Sequence, residues 1–351
     1  MRKVDYLIIG QGIAGTMIAF FAKKAGKKVL VIDQSNPHSA SRIAAGLMNP
    51  ITGRKFVKSW MIDDLLPFAI ETYQEFSELL GEQFFEQKNI LRAFADNKVE
   101  ANWFVRSSVP GFAKYIQDES DLGDYTDIVH PAFGYGEVKS GGRVEMKRLI
   151  DSYQDYLISQ GDYLSAVFDE SKMEIGKDKV IYENIEAKRV VFCEGIGVQQ
   201  NKFFNYLPIQ GNKGEIFIIR IPNAKTEKII KQSLFIIPIG EELFWVGSTY
   251  FNKYEDAEPS EEGRENLLRR LSKVLKVPFE IVEHKSAIRP TVPDKGRRPM
   301  IGVHMEFDRL ALFNGAGTKG ASITPYWAKR FIACLEKNEE IDDVVNIKRY
   351  N

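Results

Sequence analysis

The sequence predicts a mixed α/β fold in which a parallel-sheet domain and an antiparallel-sheet domain are interleaved along the chain. Three observations support it. A strand, glycine turn, helix and second strand occupy residues 4–33. Further strands end at glycine turns near residues 195 and 315, and longer strands typical of an antiparallel sheet lie between them. The 351 residues are enough for about two domains.

The first unit begins with a buried strand at residues 4–9, VDYLII, followed by glycines at the spacing GxGxxG. A helix is predicted over 13–24 and a second strand over 28–32. Gly10 permits a tight turn, Gly12 lets the backbone approach a pyrophosphate, and Gly15 lets helix and strand pack closely.

Asp33 follows the second strand, 18 residues after Gly15. A carboxylate there can accept hydrogen bonds from ribose hydroxyls, while the helix N-terminus offers N–H groups to phosphates. The whole unit predicts a bound dinucleotide, whereas the glycine turn alone would fit an ordinary βαβ unit. The pattern does not distinguish NAD from FAD.

Periodicity predicts the remaining elements in order along the chain. Helical spacing is found at residues 62–80, 144–160, 260–276 and 321–336. Ser260 is the expected N-cap of the third of these helices. Strands are predicted at residues 163–168, 188–193, 215–220, 233–239, 243–249 and 309–313.

Composition argues against several classes of protein. Lys and Arg total 48, and Asp and Glu also total 48, so a protein that binds nucleic acid mainly by counterion release is not expected. Two cysteines, Cys193 and Cys334, form no CxxC or zinc spacing, and four scattered histidines form no metal motif. We therefore predict no metal site.

The N-terminus superficially resembles an export signal, because an apolar run at residues 7–22 follows Arg2 and Lys3. Asp5, three glycines and the lysines after residue 22 oppose that interpretation. No other apolar run approaches the ~20 residues that span a bilayer. We expect a cytoplasmic protein without a membrane span.

Several further segments, in order, resemble the D-amino-acid-oxidase-type flavoproteins, the group that includes glycine oxidase and sarcosine oxidase. The resemblance covers nearly the whole chain. Besides the first unit, it rests on Ser41–Leu47, Val138–Ile150, Phe192–Gly197, Leu207–Glu215, Ala287–Pro290 with Pro299–Gly302, and Asn314–Gly320.

This resemblance implies a Rossmann-like FAD-binding domain with an interleaved antiparallel-sheet substrate domain. The FAD-binding domain would comprise residues 1–80, 138–205 and 288–351, and the substrate domain residues 81–137 and 206–287. No cysteine lies where covalent attachment would be expected, so the FAD should be non-covalent.

The resemblance also implies site residues. Arg289 falls on the arginine that grips the substrate carboxylate, and a guanidinium matches a carboxylate with two parallel N–H bonds. Val167 matches the adenine contact. The expected cofactor-binding residues are Gly10, Gly12, Ile13, Ala14, Gly15, Asp33, Gln34, Ser41, Arg42, Ala44, Ala45, Gly46, Leu47, Val167, Glu194, Gly195, Arg289, Gly315, Gly317, Thr318, Lys319 and Gly320.

The sequence departs from the family pattern at the substrate side. Phe235 stands where glycine oxidase has a tyrosine, so a hydroxyl contact to the substrate is in doubt. Tyr250 is a candidate replacement, although an ordinary position on the sheet surface or in the core is the favoured interpretation. Lys319 could stabilise reduced flavin or point to solvent, and Arg54 could meet an acidic substrate or be solvated.

These features predict an FAD-dependent oxidoreductase that oxidises the C–N bond of a small amino acid or secondary amine, with imine hydrolysis. One alternative is a tRNA-modifying oxidoreductase acting on carboxymethylaminomethyl-uridine at the wobble position. The segment 315–325 resembles the oxidase domain of that bifunctional enzyme. A basic surface formed by Arg54, Lys55, Lys58, Arg297 and Arg298 would favour it. Another alternative is a non-catalytic flavoprotein or a subunit of an oxidase complex.

Overall fold

A computed structural model describes residues 1–118 and 120–350. The helices are α1 Ile13–Lys24, α2 Ala40–Ile43, α3 Ile62–Leu80, α4 Asn97–Ser107, α5 Met146–Ser159, α6 Glu261–Leu271 and α7 Gly320–Lys337. The strands are β1 Arg2–Ile9, β2 Val29–Asp33, β3 Leu47–Met48, β4 Ile51–Thr52, β5 Val57–Lys58, β6 Phe85–Gln87, β7 Ile90–Phe94, β8 Ile116–Gln117, β9 Gly134–Val138, β10 Gly142–Val144, β11 Tyr163–Ser165, β12 Met173–Ile175, β13 Val180–Tyr182, β14 Ile185–Phe192, β15 Gln210–Arg220, β16 Ile229–Lys231, β17 Phe235–Gly240, β18 Leu243–Gly247, β19 Glu280–Thr291, β20 Met300–Val303 and β21 Leu310–Asn314.

Five parallel strands in the order β11-β2-β1-β14-β21 form the centre of the first sheet. Their register aligns Ile9 with both Ile32 and Phe192, and Phe192 with Leu312. The carboxyl ends of these strands therefore meet at one edge, where open α/β sheets bind their ligands. The predicted mixed α/β fold is confirmed.

Alternate side chains of the parallel strands belong to two hydrophobic cores. Ile8 and Val31 pack with residues of α1, α3, α5 and α7. Leu7, Ile9 and Phe192 belong to the core on the other face of the sheet. Because both faces are covered, these strands are nearly continuous apolar runs, which explains why the sequence identified them.

The second large sheet has eight strands in the order β19-β15-β18-β17-β16-β7-β9-β8. All its neighbouring pairs are antiparallel except β16 and β7, which are parallel. Helix α6 covers one face through Leu267 and Leu271, which pack with Phe217 and Phe244. The opposite face borders the cavity described below.

Most of the predicted elements are present, with shifted ends. The helices at 13–24 and 62–80 have the predicted bounds. The helix predicted at 260–276 stops at Leu271, because the Val274 carbonyl accepts a bond from the His130 N–H and Leu275 bridges Val129. The strand predicted at 163–168 stops at Ser165, so Val167 lies beyond it.

The strands and helix between residues 85 and 138 were not predicted, since they are short and pair with distant parts of the chain. Strands of the first sheet come from residues 2–33, 163–192 and 300–314, and those of the second from residues 90–138 and 210–291. The division into domains at the stated boundaries stays a prediction. Within the described residues, no helix is both long and apolar enough to span a bilayer.

A buried polar cluster anchors α6 to the second sheet. The fully buried Glu215 carboxylate accepts bonds from the backbone N–H and hydroxyl of Ser260. Lys213 Nζ and His284 Nε2 lie 3.4 and 2.8 Å from its oxygens. The Ser260 hydroxyl in turn accepts from the Gly263 N–H, which confirms Ser260 as the N-cap.

Replacement of Glu215 by alanine is expected to lower the free energy of unfolding by about 3 kcal/mol, because it leaves Lys213 and the α6 terminus without their buried acceptor. Chemical denaturation measures this change. The control is E283A on the same sheet. Glu283 pairs with Lys285 on the surface, so that loss should stay below about 1 kcal/mol. Equal losses would contradict the anchoring role.

Candidate active site

A cavity of about 660 Å³ extends from the carboxyl edge of the parallel sheet onto the open face of the second sheet. Turns after β1, β2, β14 and β21 supply one end. Residues of β15, β17, β18 and β19 supply the other. The parallel register explains why segments so distant in sequence share one cavity.

Gly10 and Gly15, on either side of the α1 N-terminus, have no room for a side chain. A Cβ at Gly15 would lie 1.9 Å from the Gly10 carbonyl oxygen, and one at Gly10 would lie 2.7 Å from the Cys193 carbonyl oxygen. Gly10 also has a φ of +93°, which L-residues rarely adopt. The N-terminus of α1 therefore packs against the sheet and opens on the cavity, as a pyrophosphate requires.

The carboxylate of Asp33 is fixed at the end of β2. Its Oδ1 accepts from the Gln11 N–H at 2.9 Å, and its Oδ2 accepts from the Ser35 N–H at 2.7 Å. The group lines the cavity, with Gln34 beside it. Val167 lines the same end and is 72% exposed. It therefore offers an apolar surface on which a flat ring can pack. These residues fit the ribose and adenine of a dinucleotide.

The structure places nearly all of the predicted cofactor-binding residues on the cavity wall. Those that line it are Gly10, Gly12, Ile13, Ala14, Asp33, Gln34, Ser41, Ala44, Ala45, Gly46, Leu47, Val167, Glu194, Gly195, Arg289, Gly315, Gly317, Thr318 and Gly320. Gly15, Arg42 and Lys319 are not on it. Gly15 instead packs α1 against the turn after β1.

Arg42 and Lys319 have other surroundings. Arg42 donates from Nε to Asp151 at 2.8 Å and from Nη2 to Gln154 at 2.7 Å, and so holds α2 against α5. Burial lowers the pKa of Lys319, with smaller effects from Arg298 and Arg297. Contact of these two side chains with a cofactor stays a prediction.

The turn after β21 brings backbone against the middle of the cavity. Gly315 and Gly317 have φ of +77° and +57°, and α7 begins just beyond them at Gly320. The Asn314 side chain donates to the Gly195 carbonyl at 2.8 Å, which ties this turn to the turn after β14. The helix N-terminus thus offers a partial positive charge to a ligand.

Arg289 projects from β19 at the other end of the cavity. Its Nη1 donates to Asn212 Oδ1 at 2.8 Å and its Nη2 to Ser248 Oγ at 2.7 Å. It makes no ion pair with any residue in the described ranges 1–118 and 120–350. Burial lowers the pKa of this guanidinium. Nη1 also donates to the Thr249 carbonyl at 3.4 Å, and these neutral partners without an anion leave Arg289 suited to a carboxylate ligand.

Gly214 makes room for Arg289. A Cβ at Gly214 would lie 1.8 Å from Arg289 Nη2, so the guanidinium lies directly across the backbone of β15. The sequence analysis did not identify Gly214, Asn212 or Ser248. Gly214 immediately precedes the strand predicted at 215–220, and only the longer β15 shows it as a glycine inside a strand, which often marks a close approach of another group.

Other side chains near the substrate end are placed as follows. Phe235 lines the cavity. Tyr250 is 48% exposed and lies beneath the Arg289 guanidinium, with 6.0 Å from Cζ to the ring centroid. Trp245, which was not predicted, donates to the Ile43 carbonyl at 3.0 Å and joins the two halves of the wall. Arg54 is on an exposed turn.

Glu194 is an unusual acid for a phosphate-binding cavity. Burial raises its pKa from the ordinary 4.5 to about 7, despite a bond donated by the Asn201 amide at 2.8 Å. A protonated Glu194 would not repel a pyrophosphate, and the neutral form is also the cheaper one to bury.

Replacement of Glu194 by glutamine is expected to reduce the pH dependence of stability. The raised pKa keeps the folded state protonated after the unfolded state has ionised. Stability is therefore lost as pH rises from about 4.5 to about 7. The Tm of E194Q relative to wild type, measured by calorimetry, should rise between pH 5 and pH 8. A difference that is constant over this range would contradict the raised pKa.

Two solved structures resemble this fold. Glycine oxidase from Geobacillus kaustophilus has a TM-score of 0.80 and 19% identity, covering 97% of this chain and 96% of that one. Iminodiacetate oxidase (IdaA) from Chelativorans sp. BNC1 has a TM-score of 0.78 and 19% identity, covering 99% and 98%.

A curated relative is the tRNA 5-methylaminomethyl-2-thiouridine biosynthesis bifunctional protein MnmC of Idiomarina loihiensis. It is 24% identical over 350 residues, which are 94% of this chain and 55% of that protein, so the chain spans about half the relative's length. The model of the FAD dependent oxidoreductase (DAO) family matches residues 5–333. The chain therefore belongs to the DAO family of FAD-dependent oxidoreductases.

Proposed function

We propose that this protein oxidises the C–N bond of a small amino acid or secondary amine that it holds by its carboxylate. The observation that carries the proposal is the guanidinium of Arg289. It faces the cavity between Asn212 and Ser248, with no acidic partner among the described residues. A half-buried cation with neutral neighbours favours an anionic ligand.

The structural neighbours support the same chemistry. Their names give glycine and iminodiacetate as the compounds oxidised, and both compounds are amines that carry a carboxylate. At 19% identity these structures show a shared fold only. The substrate class is therefore drawn from the site of this chain.

Each end of the cavity has its own task in this proposal. When bound, FAD supplies the acceptor for a hydride from the carbon next to the amine. The turn at Gly10–Gly15 and Asp33 would hold its dinucleotide part. The N-terminus of α7 would stabilise negative charge near Gly317. Arg289 would fix the carboxylate and so orient the adjacent carbon, which is the main catalytic contribution of a positioned ion pair.

We further propose that the FAD is held without a covalent bond. Cys193 lines the cavity beside Gly10, at the end assigned to the dinucleotide phosphates, and burial raises its pKa well above the ordinary value. Cys334 lies in α7 and is buried in the hydrophobic core. Neither thiol is placed as an exposed nucleophile beside the turn at Gly317.

Anaerobic addition of the correct small amine should bleach the absorbance of the protein-bound flavin. The trial compounds are glycine, sarcosine, proline, iminodiacetate and D-amino acids. In R289A the bleaching rate at low substrate should fall at least 100-fold, because the carboxylate loses its charged partner. R289K keeps the charge without the paired N–H groups, so its rate should lie between the two.

Retention of flavin by R289A is the control for folding, since Arg289 lies at the substrate end of the cavity. No bleaching by any of these amines, with flavin bound, would count against the proposal. Equal bleaching rates in wild type and R289A would contradict the carboxylate clamp specifically.

Replacement of Gly214 by alanine should weaken substrate binding without removing FAD. The added methyl would occupy the position of Arg289 Nη2 and displace the guanidinium. KM for the identified amine is expected to rise about tenfold or more, as measured by steady-state kinetics. The matched control is G240A in the β17–β18 turn, where a Cβ would meet no atom within 4 Å and only φ is strained. Unchanged KM in G214A would show that the arginine has another position available.

A second candidate function is oxidation of a modified wobble uridine in tRNA, favoured by the similarity to MnmC over 94% of this chain. The basic residues named for it lie on two segments, 54–58 and 297–298. These segments come close in the structure, because Cζ of Arg298 lies 4.1 Å from the centroid of the Trp60 ring, and Trp60 is two residues after Lys58. Lys58 is paired with Asp63, which reduces its availability to a phosphate. Bleaching by unmodified small amino acids distinguishes the first candidate from this one.

A further inference from the structure

Two cations, Arg92 and Lys231, lie on the cavity face of the second sheet beyond Phe235, and a third, Arg270, reaches the ends of its strands from α6 on the opposite face. Arg92 is paired with Lys231 across β7 and β16, and Lys231 with Phe235 across β16 and β17. Directly paired residues project from the same face of a sheet. Because Phe235 lines the cavity, Arg92 and Lys231 project from the face of the sheet that borders it, just beyond the residues that line the cavity itself.

Hydrogen bonds connect this group to the proposed carboxylate clamp. Lys231 Nζ lies 4.5 Å from the centroid of the Phe235 ring and donates to the Ser233 carbonyl at 3.3 Å. Arg270 donates to that same carbonyl and, from Nη1, to the Ser248 carbonyl at 3.1 Å. The hydroxyl of Ser248 is the group that accepts from Arg289.

The positive charges of Arg92, Lys231 and Arg270 repel one another, and no neighbouring acid compensates them among the described residues. None of the three cations forms an ion pair with residues 1–118 or 120–350. All three are half-buried. The pKa of Lys231 is lowered to about 7, mainly by burial and also by the positive charges of Arg92 and Arg270. Like charges paired directly across two strands destabilise a sheet.

Apart from Arg289, the other cations on the strands of this sheet are paired with acids in the described residues. Lys228, which precedes β16, lies 2.8 Å from Glu137, and Lys285 on β19 pairs with Glu283. Lys285 projects from the same face as Phe235, because the two residues are linked by direct cross-strand pairs: Phe235 with Gly247, Gly247 with Ile216, and Ile216 with Lys285. Among the described residues, the strand cations of this sheet without an acidic partner are therefore Arg289, Lys231 and Arg92, and all three are on the cavity side.

We propose that Arg92, Lys231 and Arg270 form a subsite for a second acidic group of the amine substrate. One carboxylate would bind Arg289 and the second group, a carboxylate or a phosphate, would bind these cations past Phe235. The inference rests on the proposed function and narrows it to amines that carry two acidic groups. Anion binding would relieve the repulsion within the group and supply the missing partner.

The test uses the FAD-saturated protein and two independent probes. The first is inorganic phosphate, which should raise Tm in wild type and in R289A but not in K231M or R92M. The second is a series of dicarboxylates from malonate to adipate, compared with monocarboxylates of equal length. Their binding is followed by perturbation of the flavin spectrum. Methionine keeps most of the apolar length of each side chain.

At one chain length the dicarboxylate should bind at least tenfold more tightly than its monocarboxylate counterpart. K231M and R92M should abolish that advantage and leave monocarboxylate binding unchanged. K285M is the matched control, since it removes a lysine from the same sheet face that already has an acidic partner, and it should keep the advantage. Phosphonocarboxylates of the same length show whether phosphate is preferred to carboxylate.

The outcomes separate this inference from the function on which it rests. The subsite would be overturned if no dicarboxylate binds more tightly than the monocarboxylate of equal chain length. It would also be overturned if tighter dicarboxylate binding persists in K231M and R92M. Binding of monocarboxylates that is unaffected in R289A would overturn the clamp instead. A Tm increase with phosphate that requires Lys231 but not Arg289 would still support the subsite in that case.

Discussion

The cavity depends on three glycines at which another group takes the space that a Cβ would fill. At one end, Gly10 and Gly15 let the first helix approach the sheet so closely that a methyl on either residue would overlap a carbonyl group. At the other end, Gly214 lets the Arg289 guanidinium lie across β15. The first approach directs a helix N-terminus at the dinucleotide phosphates, and the second directs a cation at the substrate. The length of the cavity between these fixed ends sets where the reacting atoms can meet.

Polar side chains then hold the wall between those ends. Asn314 ties the turn after β21 to the turn after β14, and Trp245 ties β18 to the last residue of α2. On the far face of the second sheet, Glu215 holds the start of α6, while the other end of α6 supplies Arg270. The same helix thus connects a buried anchor with the cationic group beside the cavity. Arg289, Asn212 and Gly214 are positioned by strands rather than by loops, which favours a precise geometry.

Local patterns were sufficient to predict the first βαβ unit, its glycines and Asp33, because strand, turn and helix there are contiguous and strongly periodic. The resemblance to the family supplied Arg289. Neither could supply the partners of Arg289, since Asn212 and Ser248 lie 77 and 41 positions away and meet it only through strand pairing. The same reason applies to Lys231 and Arg92, which become neighbours through a parallel pairing of two short strands. Val167 was placed in a strand that ends two residues earlier, yet it still lines the cavity.

The order of strands in the parallel sheet has a consequence for how the chain folds during synthesis. β1 lies between β2, which is complete by residue 33, and β14, which is complete only at residue 192. β21, which pairs with the other edge of β14, comes later still, at residues 310–314. At ~5–20 residues per second, a ribosome needs tens of seconds to add the later strands. Until then the nascent chain exposes an unpaired strand edge, which is prone to association with other chains. We expect chaperone capture to matter most in this interval, and the dinucleotide to bind only after the fifth parallel strand has joined the sheet.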